Sequence, residues 1–154
     1  KERAVKELAE LMACPVIQTS GGTSFIPGLQ DRTFPYLFSP AANSAVEESD
    51  LCVALGTELG EPMHYGRTQH WAANDANRRW VYVEQDPTAI GVNRPVDVAL
   101  VGDLRVPIEL LLEGQIERRD GVKGSQSRFF RIFFFVAATN VLQRMYDFTS
   151  HGKW

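Results

Sequence analysis

The sequence lacks three features that would assign it to a broad class directly. It has only two cysteines, Cys14 and Cys52, and no Cys-x-x-Cys pair, so it predicts neither a zinc ribbon nor a redox pair. It has no excess of positive charge, and its formal net charge of −3 gives no reason to expect nucleic acid or a membrane surface as a partner. Its dense apolar run at residues 132–138 is too short to span a bilayer, which takes about 20 residues.

What remains is the composition of an ordinary globular domain. The 154 residues are 44% hydrophobic and 23% charged, which predicts one domain with a real core. The low cysteine content fits a reducing compartment, and we expect the cytoplasm. Lys1 already lies in a helical pattern, with no initiator methionine or signal peptide before it, so we expect a piece of a longer protein.

A buried strand is predicted at Leu51–Leu55, and the rest of the chain is arranged around it. The run is continuously apolar and does not alternate, as is typical of the centre of a parallel sheet. Gly56 ends the run and lets the backbone change direction. Ligands bind beyond the carboxyl ends of such strands, so Gly56 and Thr57 are candidate binding residues. The alternative is a glycine that only lets the chain turn.

Helical and strand patterns alternate along the chain. Apolar spacing and turn residues predict helices over residues 1–13, 40–49 and 104–112, and strands over residues 16–19, 79–84 and 98–101. Ser39 and Asp103 are predicted helix caps. Residues 23–40 are predicted to be irregular, and residues 61–77 are predicted to be a second long connection. The order predicts an α/β fold, a Rossmann-like, doubly wound and mainly parallel sheet whose first strand is missing from the chain.

Polar residues at the other strand ends give a candidate nucleotide site. Thr19, Gly21 and Gly22 follow the first predicted strand and offer backbone N–H groups to a phosphate. Glu84 and Asp86 end a later strand, where an acid accepts hydrogen bonds from ribose hydroxyls. A plain glycine turn and a solvated acidic turn before Pro87 are the alternatives, and both are favoured.

The sequence predicts no catalytic residue and no metal ligand. His64 and His70 lie six residues apart without a third ligand, and a loop packed on a neighbouring domain is the favoured interpretation. No Ser-His-Asp or Cys-His arrangement is present.

Several strand ends, in this order, resemble a known family. The segments with the resemblance are Leu8–Leu11, Pro15–Val16, Thr19–Gly22, Phe25, Pro27, Ala42–Asn43, Glu47–Leu51, Leu55–Gly56, Val83–Pro87, Ile90–Gly91 and Val101–Asp103. Together they resemble the middle domain of thiamine-diphosphate-dependent decarboxylases and carboligases, a group that includes acetolactate synthase and benzoylformate decarboxylase. The resemblance covers about residues 3 to 113.

The resemblance implies a Rossmann-like domain of the DHS-like NAD/FAD-binding type inside a lyase or transferase that acts on 2-oxo acids or acyloins. Flanking pyrimidine- and diphosphate-binding domains of the parent subunit would hold thiamine diphosphate and Mg²⁺ between two subunits of a homo-oligomer. No Gly-Asp-Gly…Asn motif stands in this chain. We therefore expect no cofactor in the chain itself and a structural, assembly role that is not catalytic alone.

Departures from the family bear on bound nucleotides. Gly22-Thr23-Ser24 stands where the family commonly has Gly-Lys-Gly. FAD-binding members commonly carry an arginine shortly after the glycine that matches Gly56, whereas this chain has Glu58 and Glu61, which disfavour a diphosphate. An FAD- or adenine-nucleotide-binding module is one alternative function. A NAD-dependent deacylase is another, made unlikely by the absence of a four-cysteine zinc module.

The end of the chain matches nothing in the family. Residues 114–127 are predicted to be a polar linker and residues 128–154 an apolar tail. The composition of 132–138 suits a doubly buried strand in the slot of the missing first strand, in this chain or in a symmetry-related copy, with residues 140–148 as a helix. The rival is one continuous helix over residues 128–148.

Overall fold

A computed structural model describes residues 2–19, 26–36, 39–106, 108–110, 112–113 and 132–136. The helices are α1 (Glu2–Met12), α2 (Pro40–Glu48) and the short α3 (Gln69–Ala72); residues 105–106, 108–110 and 112–113 are also helical. The strands are β1 (Val16–Gln18), β2 (Thr33–Pro35), β3 (Leu51–Leu55), β4 (Arg79–Glu84), β5 (Val98–Val101) and β6 (Ile132–Val136).

All six strands form one parallel sheet in the order β2-β1-β6-β3-β4-β5. The predicted α/β doubly wound architecture is confirmed. Strands run outward in chain order on one side of the sheet, from β3 to β5, and on the other side from β1 to β2. In the described part of the chain, no helix is long and apolar enough to cross a membrane.

Strand β6 lies in the middle of the sheet, between β1 and β3. Phe134 is paired with Val16 of β1 on one side and with Val53 of β3 on the other. Phe133 and Phe135 are likewise paired with residues of β3, so the predicted strand is confirmed over Ile132–Val136 and the continuous helix is wrong. The predicted linker and the predicted helix at 140–148 lie outside the described residues.

The sheet separates two apolar layers. On one face, α1 and the helical residues after β5 pack on β3 and β4, with Leu8, Leu55 and Ile108 buried. On the other face, α2 and α3 pack on the same strands, with Val46, Trp71 and others buried. Because β3 contributes residues to both layers, its continuous apolar run is explained. Leu51 was expected to be as buried as Val53 and Leu55, but it is only half-buried, because it begins the strand.

The predicted start of α2 is confirmed. Ser39 accepts a hydrogen bond through its Oγ from the backbone N–H of Ala42 at 3.2 Å, and Pro40 takes the first helical position, where no N–H is needed.

The prediction that residues 23–40 are wholly irregular was wrong for Thr33–Pro35, which form β2 and pair with β1. A three-residue edge strand ending in proline carries almost no periodic signal, and proline is tolerated there because the outer side of an edge strand needs no donor.

Candidate functional site

The carboxyl ends of the strands place the candidate residues along one edge of the sheet. Because the sheet is entirely parallel, the residues that follow β1, β3 and β4 emerge on the same side. Thr19, Gly56, Thr57 and Glu84 therefore share one edge, as an open α/β sheet requires of a ligand site. Thr19, Thr57 and Glu84 are buried polar residues. Gly21 and Gly22 lie outside the described residues.

Hydrogen bonds to β4 and within the turn itself stabilise the turn after β3. Gly56 has a φ of 63°, a left-handed conformation that favours glycine, and its N–H donates to the carbonyl of Val83 at 2.8 Å. The hydroxyl oxygen of Thr57 accepts the N–H of Leu59 at 3.1 Å, and Leu59 is fully buried. In the structure Gly56 and Thr57 stabilise the turn, and their nucleotide-binding role stays a prediction.

The acidic residues after β4 also bond to neighbouring backbone. Glu84 accepts the N–H of Gln85 at 2.7 Å through Oε1, and its side chain is buried rather than presented to solvent. Asp86 caps a short 3-10 turn, Pro87–Ala89: one carboxylate oxygen accepts the N–H of Thr88 at 2.8 Å and its hydroxyl at 2.6 Å. These hydrogen bonds, that of the hydroxyl first, lower the pKa of Asp86. A ribose would have to compete with them.

Asp103 follows β5 and caps the helical residues after it. Its Oδ1 accepts the N–H of Arg105 at 2.9 Å, as the sequence predicted, and its Oδ2 accepts from the side-chain amide of Gln85 at 3.2 Å. The ends of β4 and β5 are thereby tied together.

The two histidines are not brought together. His70 contacts Glu47 of α2, with 2.5 Å between Nδ1 and Oε1, while the ring of His64 lies 6.4 Å from that of Tyr36. Met63 and Trp71 of this loop are buried in the core of this domain, and the expectation that the loop packs on a neighbouring domain stays a prediction. The loop reaches that position through three successive left-handed residues, His64 (φ 48°), Tyr65 (φ 55°) and Gly66 (φ 64°).

Neither cysteine is placed to act as a nucleophile. Cys14 and Cys52 are free thiols that are almost completely buried. Burial raises the pKa of Cys14 to about 12 and raises that of Cys52 further. A nucleophilic cysteine needs a lowered thiol pKa and access to its substrate. Here the pKa of each thiol is raised and each thiol is buried.

The described residues do not fit a magnesium–diphosphate site. Within the described ranges, no three His, Cys, Asp or Glu side chains lie close enough together to hold a metal ion. The binding of thiamine diphosphate and Mg²⁺ by other parts of a parent enzyme stays a prediction.

Sequence reasoning missed a cluster of buried aromatic side chains and two arginines on the α2 and α3 side of the sheet. The rings of Trp71 and Trp80 stack at 5.5 Å between centroids, and Tyr82 stacks on Trp80 at 6.1 Å. The guanidinium of Arg78 lies 5.5 Å from the Trp71 ring centre and that of Arg94 lies 5.3 Å from the Trp80 ring centre. The available signal in the sequence was three aromatic residues, one on α3 and two at alternate positions of β4.

Comparisons with known proteins agree with this architecture. The protein family described as "Thiamine pyrophosphate enzyme, central domain" matches residues 1–111. The chain is 34% identical over 127 residues to "Acetolactate synthase" of Mycobacterium avium. The aligned segment covers 79% of this chain and 19% of that protein. It is 32% identical over 111 residues to "Acetolactate synthase large subunit IlvB1" of Mycobacterium tuberculosis (strain CDC 1551 / Oshkosh), covering 70% of this chain and 17% of that protein.

A relative from outside the mycobacteria shows the same pattern. "Acetolactate synthase large subunit" of Cyanidium caldarium is 26% identical over 130 residues, which covers 82% of this chain and 22% of that protein. The chain thus spans about a fifth of the length of the curated relatives it matches. The relatives favour neither a nucleotide-binding module nor a deacylase.

Proposed function

This chain belongs to the family of thiamine pyrophosphate enzyme central domains, and we propose that it serves as the assembly domain of an enzyme like acetolactate synthase. The reaction of that enzyme joins or cleaves 2-oxo acids or acyloins, and its thiamine diphosphate and Mg²⁺ are held by flanking domains. The compartment that this proposal assigns is the cytoplasm, and the assembly is a homo-oligomer.

The state of the strand-end residues supports a structural role. Thr57 and Asp86 bond to backbone N–H groups of their own loops, and Glu84 is buried against the turn that follows it. Both thiols are buried and protonated at neutral pH. None of these five residues is a nucleophile paired with a base, which is what covalent or acid–base catalysis demands.

Exposed apolar side chains support flanking domains as partners. Apart from Tyr65, the large exposed hydrophobic side chains among the described residues all fall within residues 92–110. Val98 and Val101 lie on β5 at the edge of the sheet, and Val106 and Leu110 lie in the helical residues after it, with exposed fractions from 46% to 62%. A local concentration of this kind is typical of a surface that another domain covers.

A chimera tests the proposal. Residues 1–113 would replace the matching segment of the Mycobacterium avium relative, and acetolactate formation from pyruvate would be measured with thiamine diphosphate and Mg²⁺. We expect turnover within about tenfold of the parent. The control chimera carries Val53→Asp, which breaks the sheet, and we expect it to be inactive.

The isolated chain is the second arm of this test. We expect the folded 154-residue chain to give no product under the same conditions. Product formed by the isolated chain would contradict the proposal, as would a correctly folded chimera without activity. Absorbance near the flavin band on the purified chain would instead support the nucleotide-binding alternative.

A further inference from the structure

Strand β6 joins two parts of the sheet that make no direct strand pairing with each other. Within the described strands, β1 pairs only with β2 and β6, and β3 pairs only with β4 and β6. The family match covers residues 1–111 and therefore includes the strands on both sides of β6 but not β6 itself. The family-matched strands thus leave a slot of about two strand spacings, roughly 9.6 Å between β1 and β3.

The residues of β1 and β3 on either side of this slot determine which kind of strand fits between them. Val16 and Ile17 of β1 are completely buried, and Cys52, Ala54 and Leu55 of β3 are too. Val53 and Leu55 belong to one apolar layer, whereas Cys52 and Ala54 belong to the other. A strand in the slot therefore meets an apolar layer on each face, so it must be apolar at every position rather than at alternate ones. Its backbone must also run parallel to both neighbours.

The sequence of β6 satisfies these demands. Ile132-Phe133-Phe134-Phe135-Val136 is apolar throughout and contains only residues that favour strands. Five residues of β6 are paired with β3 and three with β1, so the strand is bonded on both sides of its backbone.

We propose that the space between β1 and β3 is a binding site for a separate, extended apolar peptide strand. Strand β6 is its resident ligand, retained by backbone pairing to both neighbours and not by the continuity of the chain. The same site accepts an equivalent strand in trans, from a free peptide or from a second copy of the chain, as in β-strand addition. The proposal does not depend on the enzyme to which the domain belongs.

The test uses the full chain with a specific protease site inserted between Gly121 and Val122. The folded protein is cut, and its fragments are separated by size under native conditions. We expect the fragment that contains β6 to co-elute with the body, and circular dichroism to stay unchanged. Dissociation of the fragment, or unfolding after the cut, would overturn the proposal, because the strand would then be held by chain continuity alone.

Exchange with a labelled peptide tests specificity. A fluorescent peptide of residues 128–139, with a solubilising lysine tag, is added to the cut protein in mild urea, which is then removed. The matched control peptide carries Phe134→Asp in the same tag and label. We expect at least tenfold more parent peptide than control peptide bound to the body. Equal binding of both peptides, or binding of neither, would refute a strand site.

Light scattering of the uncut protein identifies the source of the resident strand. A monomer at all concentrations assigns β6 to its own chain. A dimer that becomes monomeric as it takes up the labelled peptide assigns β6 to a second copy. Both results support the site, whereas a dimer that takes up peptide without losing mass shows that the peptide binds elsewhere and contradicts it.

Discussion

Replacement of Arg78 by methionine should destabilise the domain far more than the same change one residue later. Arg78 precedes β4, and its side chain is completely buried. Its Nε donates to Ser49 Oγ at 3.0 Å, its Nη1 to the carbonyl of Trp71 at 2.6 Å and its Nη2 to the carbonyl of Val46 at 2.7 Å. The guanidinium therefore joins the end of α2 to α3. Burial lowers its pKa, but an arginine keeps its charge at neutral pH.

The magnitude follows from the three hydrogen bonds. A typical bond contributes about 1 kcal/mol net, and the cation–π contact with Trp71 adds about 0.5–1 kcal/mol. The carbonyl of Val46 keeps two other donors, the N–H of Ser49 at 3.2 Å and its hydroxyl at 2.8 Å, so the loss there is smaller. Methionine fills much of the space, which limits the cavity. We expect Arg78→Met to lower the free energy of unfolding by about 2–3 kcal/mol, a large part of the roughly 5–15 kcal/mol of a single domain.

Urea unfolding followed by tryptophan fluorescence measures this effect. With an m-value of about 2 kcal/mol per molar, the urea midpoint should fall by about 1–1.5 M. The matched control is Arg79→Met, which removes the same charge from a side chain that is 73% exposed and pairs with Asp97 at 2.8 Å. An exposed pair of this kind contributes less than about 1 kcal/mol. If the two variants shift the midpoint equally, the buried hydrogen bonds of Arg78 do not stabilise the fold as argued.

Three further outcomes are expected. Val53→Asp should lower the free energy of unfolding in urea by at least about 4 kcal/mol, because Val53 is 5% exposed on an interior strand. The control Val101→Asp, on the exposed edge strand, should lower it by less than about 1 kcal/mol. Similar midpoints for the two variants would show that β3 is not central. Because burial raises the pKa of Cys14 from 9.0 to about 12, its contribution to stability is present below pH 9 and lost as the pH rises toward 12, so the unfolding midpoint should fall over that range. Cys14→Ser should make that fall shallower but not abolish it, because burial also raises the pKa of Cys52, and an unchanged slope would contradict the assignment. In the native state at pH 8 neither thiol should react with a disulfide reagent, whereas both should react in denaturant.

The sequence by itself determined three strands of the sheet and the type of fold. Leu51–Leu55, Arg79–Glu84 and Val98–Val101 have in the structure the bounds that their apolar composition predicted. The order of these elements predicted a doubly wound parallel sheet. The apolar density of residues 132–138 predicted a central strand, which the structure describes over Ile132–Val136. These elements can be predicted from the sequence because an apolar run and the chain-breaking residues that bound it lie within a few positions of one another.

Only the tertiary structure decided which distant groups meet. Strand β2 exists because Thr33–Pro35 find β1 beside them, and no pattern in three residues reports that neighbour. Arg78 is buried because acceptors from α2 and α3 converge on it, whereas Arg79 beside it stays exposed, although the sequence gives both the same charge. At Glu84, the carboxylate that the sequence offered to a ribose is buried and bonded to its own turn. Edge pairing, buried charge and the occupation of acceptors depend on contacts between residues far apart in the chain, which residue order alone does not specify.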